Sequence, residues 1–253
     1  INFKNRSEPS MLSNMLETLD HRGPDDSGVE FFLNDNIQIA LGHKRLSVLD
    51  LSKNGHQPYK FKNLVMVYNG EIYNFREIRE ELKSFGYSFL SDSDTEVVIK
   101  AFHYWGAKAF NKFNGMFSIV VYDTQDETLI LARDRAGVKP LYYYYKDDLF
   151  MFSSEIKAFH QHNSFDNKIS NKSIALYLQH GYVPQPFRIF TNVSKLENGH
   201  FLTLDIKTKE ASVKQYWSVY DFYQKTKLNL SKSEALQKLD ELINASVKYR
   251  MIS

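Results

Sequence analysis

Cysteine is absent from the 253 residues of the chain. Without thiols the chain forms no disulfides or thiolate-bound metal sites, and it has no cysteine nucleophile of its own. The eight histidines show no H-E-x-x-H or other ligand spacing, so no metal is expected. No G-x-G-x-x-G, P-loop or G-x-S-x-G sequence occurs either. A cytoplasmic location is the default expectation for such a chain.

Long apolar runs and an excess of one charge are also lacking. The longest apolar runs, such as Phe117–Tyr122, are strand-sized and too short to span a bilayer, and no secretory signal is visible. The 32 basic and 30 acidic residues are well mixed, which argues against a surface for nucleic acid or membranes. The hydrophobic fraction of 43% is typical of a globular protein rather than a disordered one.

Hydrophobic periodicity predicts strands first, then two helices, then strands again. The helices are predicted to begin at Asn74 and at Ser93, because each residue is followed three positions later by Glu, as in a capping box. This order favours two antiparallel sheets that pack together with helices outside them. The predicted fold class is therefore a layered α+β architecture.

The pattern changes after Gly181. A predicted hairpin over residues 199–217 is followed by a polar connector and by an amphipathic helix that begins at Ser231, with Glu234 three positions later as in a capping box. No later element of the chain buries the apolar face of this helix. We therefore expect one domain over residues 1–185, and over residues 186–253 a connecting hairpin, a linker and the first helix of a second, incomplete domain. Both ends of the chain are expected to be internal edges of a longer protein.

The pair Asn69-Gly70 lies between alternating apolar residues, which is a strong signal for a tight hairpin turn. A second interpretation is an oxyanion hole, in which the Asn side chain and the Gly N–H donate to one point. From these two residues alone the turn is favoured.

Two charged side chains have similar alternatives. Arg45 lies in an apolar strand pattern, where it either extends to solvent or grips a carboxylate with two hydrogen bonds. Asp94 either interacts with the start of its helix or binds an ammonium group. Together with Asn69-Gly70, these residues would suit a free amino acid with a reactive side-chain amide, which is glutamine. A nucleophile is the missing part.

Seven segments, in order and spacing, resemble those of the glutamine-hydrolysing asparagine synthetases. They are HRGPDDSG (21–28), GHKRLSVLDLS (42–52), YNGEIYN (68–74), SDTEVV (93–98), GMFSIVVYD (115–123), ARDRAGVKPLYYY (132–144) and FSSEIKA (152–158). The resemblance implies a class II glutamine amidotransferase, or glutaminase, with the N-terminal-nucleophile hydrolase fold. That fold is a four-layer αββα sandwich of two antiparallel sheets.

The resemblance also implies a binding site for glutamine. It places Arg45 on the substrate carboxylate, backbone groups of Leu46, Ser47, Val48 and Leu49 along the pocket, Asn69 and Gly70 at the oxyanion hole, Glu71 beside them, and Asp94 on the substrate amino group.

In that family the nucleophile is a Cys at the mature N-terminus, followed by Gly. Its free α-amine, with an ordinary pKa of about 8, is thought to serve as the base. The segment Ile1–Phe3 corresponds to the strand just after this start, so the nucleophile is expected upstream of Ile1. As given, the chain is expected to bind glutamine without hydrolysing it.

Further partners follow from the same resemblance. ATP, Mg and aspartate are expected at a synthetase domain that follows Ser253, and no cofactor is expected for residues 1–253. Members of the family often dimerise through the glutaminase domain, so a homodimer is one implied arrangement. Two alternatives stay open: a glutaminase part that serves a sugar carboxylate in surface-polysaccharide synthesis, and a catalytically dead glutamine-binding module.

Overall fold

The computed structural model describes residues 1–4, 7–33, 37–46, 55–185 and 187–251. Within these ranges the helices are α1 (Pro9–Glu17), α2 (Phe75–Ser84), α3 (Asp94–Trp105), α4 (Ala109–Lys112), α5 (Asn171–His180), α6 (Tyr220–Tyr223) and α7 (Lys232–Arg250), with short 3₁₀ turns at Asp20–Arg22, Gly106–Lys108 and Ile156–Gln161. The strands are β1 (Asp26–Leu33), β2 (Gln38–Arg45), β3 (Tyr59–Phe61), β4 (Leu64–Ile72), β5 (Gly115–Asp123), β6 (Thr128–Arg133), β7 (Tyr142–Lys146), β8 (Leu149–Ser153), β9 (Val193–Lys195), β10 (His200–Asp205) and β11 (Ala211–Gln215). The sequence Asn34-Asp35-Asn36 predicts a turn between β1 and β2, and it lies outside the described residues.

The strands form two antiparallel sheets. One has the strand order β11-β10-β6-β5-β4-β3. The other contains β1-β2 and β8-β7-β9. Its two parts are joined by Asn2, whose backbone bridges Gln38 of β2 on one side and Leu149 of β8 on the other.

Three buried clusters separate four layers. The cluster between the two sheets includes Val67 of β4 and Phe150 of β8. On its other face, the six-stranded sheet packs against α2 and α3. On the far face of the second sheet, Met15 of α1 packs with Phe159 of the last 3₁₀ turn. The molecule is therefore an αββα sandwich, as the sequence predicted.

The packing of β4 explains why its sequence is almost continuously apolar. Successive side chains of a strand point to opposite faces. Met66 and Tyr68 lie in the cluster under the helices, whereas Val65 and Val67 lie between the sheets. Because both faces of β4 are covered, both sets of side chains must be apolar.

The hairpin of β10 and β11 belongs to the six-stranded sheet. Strand β10 pairs with β6, and Leu202 and Leu204 of β10 are buried between the two sheets. The sandwich therefore continues past residue 185, where the sequence pattern placed a boundary. Alternation along a hairpin shows that one face is buried, but not which sheet receives it.

The predicted capping box at Ser93 is wrong. Ser93 does cap α3, since its Oγ accepts from the N–H of Thr95 at 3.2 Å. Glu96, however, accepts from the N–H of Ser91 at 2.8 Å and pairs with Lys100 at 2.5 Å. Buried Glu96 thus holds the loop before α3 instead of the backbone of the cap residue.

Of the two other predicted capping boxes, the one at Asn74 is absent and the one at Ser231 is present. Asn74 precedes α2, but its side chain bonds across to Lys112 and Asn114 and does not cap the helix. At the start of α7, Ser231 and Glu234 form the predicted capping box. None of the helices in the described part of the chain is long and apolar enough to cross a membrane.

Candidate functional site

A cavity of about 580 Å³ is lined by residues of both sheets and of α1. Six of the nine predicted site residues line this cavity: Arg45, Leu46, Asn69, Gly70, Glu71 and Asp94. The other three, Ser47, Val48 and Leu49, lie outside the described residues. Residues that the sequence separates by up to 49 positions therefore meet at one place.

Asn69 and Gly70 do not form a hairpin turn. They lie inside β4, opposite Ser118 and Phe117 of β5, and the pairing continues to Ile72. The turn interpretation from the sequence is therefore wrong. Glycine is required for packing instead, because a Cβ at position 70 would lie 2.1 Å from the backbone oxygen of Met116.

The register of β4 fixes the direction of the Gly70 N–H. In an antiparallel strand the backbone N–H groups of alternate residues point to the same side. The N–H groups of Tyr68 and Ile72 both point away from β5, and donate to the side chains of Gln57 at 2.6 Å and Asp94 at 3.0 Å. The N–H of Gly70, which lies between them, points to the same side.

Asn69 presents a second donor near Gly70. Its side chain is half-buried, and its Nδ2 lies 3.5 Å from the Oγ of Ser154, just after β8. An amide N–H and a backbone N–H are the kind of donors that stabilise the oxyanion of a tetrahedral intermediate.

Asp94 is a buried carboxylate at the cavity, with only 5% of its surface exposed. Its Oδ2 accepts from the O–H of Tyr68 at 2.7 Å and from the N–H of Ile72. Burial raises the pKa of Asp94, although these hydrogen bonds oppose the rise. Burial, followed by the charge of Asp94, raises the pKa of Tyr68 well above its usual value, so its hydroxyl stays protonated and donates. The charge of Glu71 raises both pKa values further.

Arg45 is the last residue of β2, at the cavity. Its guanidinium packs on Gly55, where a Cβ would lie 2.1 Å from Nη2. Nearby, Asp26 pairs with His56 at 2.7 Å. Burial raises the pKa of Asp26, but the hydrogen bond from His56 and the charge of Arg45 bring it below the usual value. A guanidinium at a cavity presents N–H donors that can form two parallel hydrogen bonds to a carboxylate ligand.

Sequence reasoning missed two residues that hold the backbone of Tyr68. Gln57 is buried, and its Oε1 accepts from the Tyr68 N–H at 2.6 Å while its Nε2 donates to the Tyr68 carbonyl at 3.0 Å. The Nε2 of His43 lies 3.1 Å from the same carbonyl. No local pattern reveals these contacts, because they join residues 11 and 25 positions apart.

His43 is neutral at neutral pH. Burial lowers its pKa to about 4, although its hydrogen bond to Tyr68 opposes the shift. A carbonyl oxygen can only accept, so Nε2 carries the proton of the neutral ring and donates it to Tyr68.

We expect His43 to make folding sensitive to acid. Because its pKa is lower in the folded chain than its ordinary value of 6.5, the unfolded chain binds more protons between pH 6.5 and 4. Its contribution to the free energy of unfolding is complete above pH 6.5 and is lost as the pH falls to about 4, by up to roughly 3 kcal/mol. Urea unfolding at several pH values measures this slope, and His43→Gln should reduce it, whereas the contributions of His103 and His162, whose pKa values burial also lowers, should remain.

Glu155 provides an internal control in a lower pH window. Burial raises its pKa, but hydrogen bonds from Arg22, Lys157 and His21 outweigh that effect and bring the pKa to about 2. Stability from Glu155 is therefore lost between pH 4.5 and 2, in the wild-type chain and in His43→Gln alike. An unchanged slope between pH 6.5 and 4 in His43→Gln would contradict the assignment to His43.

Two further segments singled out in the sequence have structural roles. In HRGPDDSG, Arg22 and His21 each lie 3.0 Å from Glu155 of FSSEIKA, so this loop is tied to the chain after β8. In ARDRAGVKPLYYY, Arg133 donates to backbone carbonyls and Asp134 accepts from backbone N–H groups. Both residues are buried, so the segment is an internally bonded loop.

Residues 1–217 match the family model described as a glutamine amidotransferase domain. The chain belongs to this family. Among curated proteins, it is 34% identical over 264 residues to a putative glutamine-hydrolysing asparagine synthetase of Methanocaldococcus jannaschii, and the match covers 96% of this chain and 49% of that protein. It is 35% identical over 199 residues to asparagine synthetase 1 of Bacillus subtilis, and this match covers 78% of the chain and 30% of that protein. The chain thus spans half or less of these relatives.

Solved structures agree on the fold of this amidotransferase domain. The glutamine phosphoribosylpyrophosphate amidotransferase of B. subtilis superposes with a TM-score of 0.60 at 17% identity, over 85% of this chain and 48% of that one. A second structure, described as the allosteric regulatory enzyme of purine biosynthesis, has a TM-score of 0.63 at 17% identity over the same shares. The fold is that of the N-terminal-nucleophile hydrolases, as predicted.

Proposed function

We propose that this amidotransferase domain is the glutaminase part of an asparagine synthetase-like enzyme. It binds glutamine in the cavity, and in the complete enzyme it hydrolyses the side-chain amide to glutamate and ammonia. The observation that carries the proposal is the convergence of Arg45, Asp94 and the Asn69-Gly70 pair on one cavity. These groups are complementary to the carboxylate, the ammonium and the reacting amide of one small molecule.

The roles follow from the chemistry of each group. Arg45 binds the substrate carboxylate through its guanidinium, and Asp94 binds the substrate ammonium through its carboxylate. With the head group fixed at both ends, the side-chain amide reaches Asn69 and Gly70, whose N–H groups donate hydrogen bonds to the amide oxygen as negative charge develops on it. Glu71 lines the cavity beside them. Backbone groups of Leu46, Ser47, Val48 and Leu49 are proposed to line the glutamine pocket.

The proposed nucleophile lies just before Ile1. Ile1 lines the same cavity. Its backbone N donates to the carbonyl of Phe150 at 2.6 Å, and its carbonyl accepts from the N–H of Phe150 at 2.9 Å. A Cys-Gly start upstream would attack the amide carbon through sulfur, and the α-amine would move the thiol proton to the departing ammonia. Water then hydrolyses the thioester to glutamate. Chain 1–253 contains no Cys, so we propose that it binds glutamine only.

Use of the ammonia is proposed for the part of the protein after Ser253. There, aspartate would be activated by ATP with Mg and amidated. In the described ranges of this chain no group of three or more His, Asp or Glu side chains is placed to hold a metal, so no residue is assigned to Mg or ATP. A homodimer and a cytoplasmic location belong to the same proposal.

The decisive experiment compares two proteins. Chain 1–253 should bind glutamine in calorimetry and release no glutamate, because it lacks the thiol. The full-length protein with its native N-terminus, or with Met-Cys-Gly and the start of the first strand restored, should release glutamate. A folded, Cys-containing protein that releases none would overturn the glutaminase proposal. Native upstream residues without Cys would favour a glutamine-binding module, and aspartate-independent use of ammonia would favour a sugar acceptor.

A further inference from the structure

We propose that Gln57 is a positioning residue for the oxyanion site, which fixes the backbone of Tyr68 and thereby directs the N–H of Gly70 toward the bound amide. The inference rests on the glutaminase function proposed above. It adds a residue that lines the cavity and acts through β4, by its two hydrogen bonds to the backbone of Tyr68.

The register of the sheet explains what Gln57 replaces. Strand β3 pairs with β4 with Tyr59 opposite Met66, so two residues further along Gln57 comes opposite Tyr68. In a continued ladder, backbone groups of residue 57 would bond the N–H and the carbonyl of Tyr68. The side-chain carboxamide of Gln57 makes both bonds instead, at 2.6 and 3.0 Å.

Because a side chain, and not a further backbone strand, pairs with Tyr68, the N–H of Gly70 on the same edge of β4 is left open. A backbone strand that continued past Tyr68 would bring residue 55 opposite Gly70 and would cover its N–H. Gly55 packs instead on the guanidinium of Arg45. The carboxamide therefore completes the ladder at Tyr68 and stops there, so that the N–H of Gly70 stays available at the cavity that Gly70 lines.

The same contact links the two ends of the substrate site. Tyr68 donates its O–H to Asp94, but the N–H of Ile72 holds the same carboxylate oxygen, so the ammonium site should depend on Gln57 less than the oxyanion site does. The backbone of Gln57 packs directly against Gly28 of β1, since a Cβ at Gly28 would lie 2.0 Å from the carbonyl oxygen of Gln57. A rigid support of this kind is what a preorganised oxyanion hole needs, because small misplacements cost rate.

The test variant is Gln57→Met, which keeps the length of the side chain and removes both hydrogen bonds. In the full-length protein we expect kcat for glutamate release to fall roughly 10- to 100-fold, while Kd for glutamate changes less than about threefold. The affinity for glutamate γ-semialdehyde, an aldehyde that forms a tetrahedral adduct with a thiol, should fall in parallel with kcat. A residue that only supports the fold would weaken glutamate and aldehyde binding alike.

Tyr216→Phe is the matched control. It also removes a side-chain bond to a backbone carbonyl, from Tyr216 to Arg133 at 2.8 Å, and Tyr216 does not line the cavity. It should lower the unfolding temperature without changing kcat. A wild-type kcat in Gln57→Met would overturn the positioning role, and so would a loss of glutamate affinity as large as the loss of kcat.

A second measurement separates this inference from the proposed function. In chain 1–253, where no reaction is expected, amide hydrogen exchange reports the backbone directly. Gln57→Met should speed exchange of the Tyr68 amide at least tenfold and shift the amide resonance of Gly70, with the amides of β6 unaffected. Unchanged Tyr68 and Gly70 amides would overturn the inference even if the wild-type enzyme proves active. If the wild-type enzyme releases no glutamate, the proposed function fails while the exchange result still decides the role of Gln57.

Discussion

Asn69→Ala should lower kcat for glutamine hydrolysis in the full-length enzyme by about 10²- to 10³-fold. The side-chain amide is one of two donors at the proposed oxyanion hole, and its bond to the reacting oxygen strengthens only as charge develops. KM for glutamine should therefore change little. Steady-state glutamate release measures both constants.

Two controls make this result specific. Asn63→Ala removes another Asn whose Nδ2 donates to a side chain, here Asp123 at 2.7 Å, at the other end of β4 and away from the cavity. It should retain wild-type kcat. Amidation of aspartate with added ammonia should also be retained in Asn69→Ala, since ammonia bypasses the glutaminase site. A wild-type kcat in Asn69→Ala would remove Asn69 from the oxyanion hole.

Arg45→Ala should act on binding instead. Loss of the guanidinium leaves the substrate carboxylate unpaired in the cavity, so KM for glutamine should rise roughly 10²-fold or more. Arg45→Lys keeps the charge but not the two-pronged geometry, and should give an intermediate KM. The contrast with Asn69→Ala is a test in itself, because one variant changes KM and the other changes kcat.

Arg76→Ala serves as the control for charge. Arg76 lies on α2, outside the cavity, where its guanidinium contacts the ring of Phe75. Its removal should leave KM unchanged. If KM in Arg45→Ala also stays at the wild-type value, Arg45 does not bind the substrate, and the carboxylate must be held by another part of the pocket.

The sequence by itself determined the architecture and the family. Runs such as Ile119–Tyr122 are apolar at successive positions because both faces of their strands are covered, and helical spacing after Ser93 marks a helix that packs on the sheet. These are local properties, since the periodicity of a segment records which of its faces is buried. The seven ordered segments then sufficed for the family, because chance rarely reproduces both composition and order.

Only the tertiary structure decided what the polar residues do. Asn69-Gly70 matches a turn locally, yet it lies in a strand because β5, from a segment some 48 residues later, pairs across it. Glu96 matches a capping box, yet Lys100 and the loop before α3 bind it. The contacts of Gln57 and His43 with Tyr68 arise from sheet register alone. A polar side chain bonds whichever group the packing of distant segments brings within reach, and no local pattern encodes that choice.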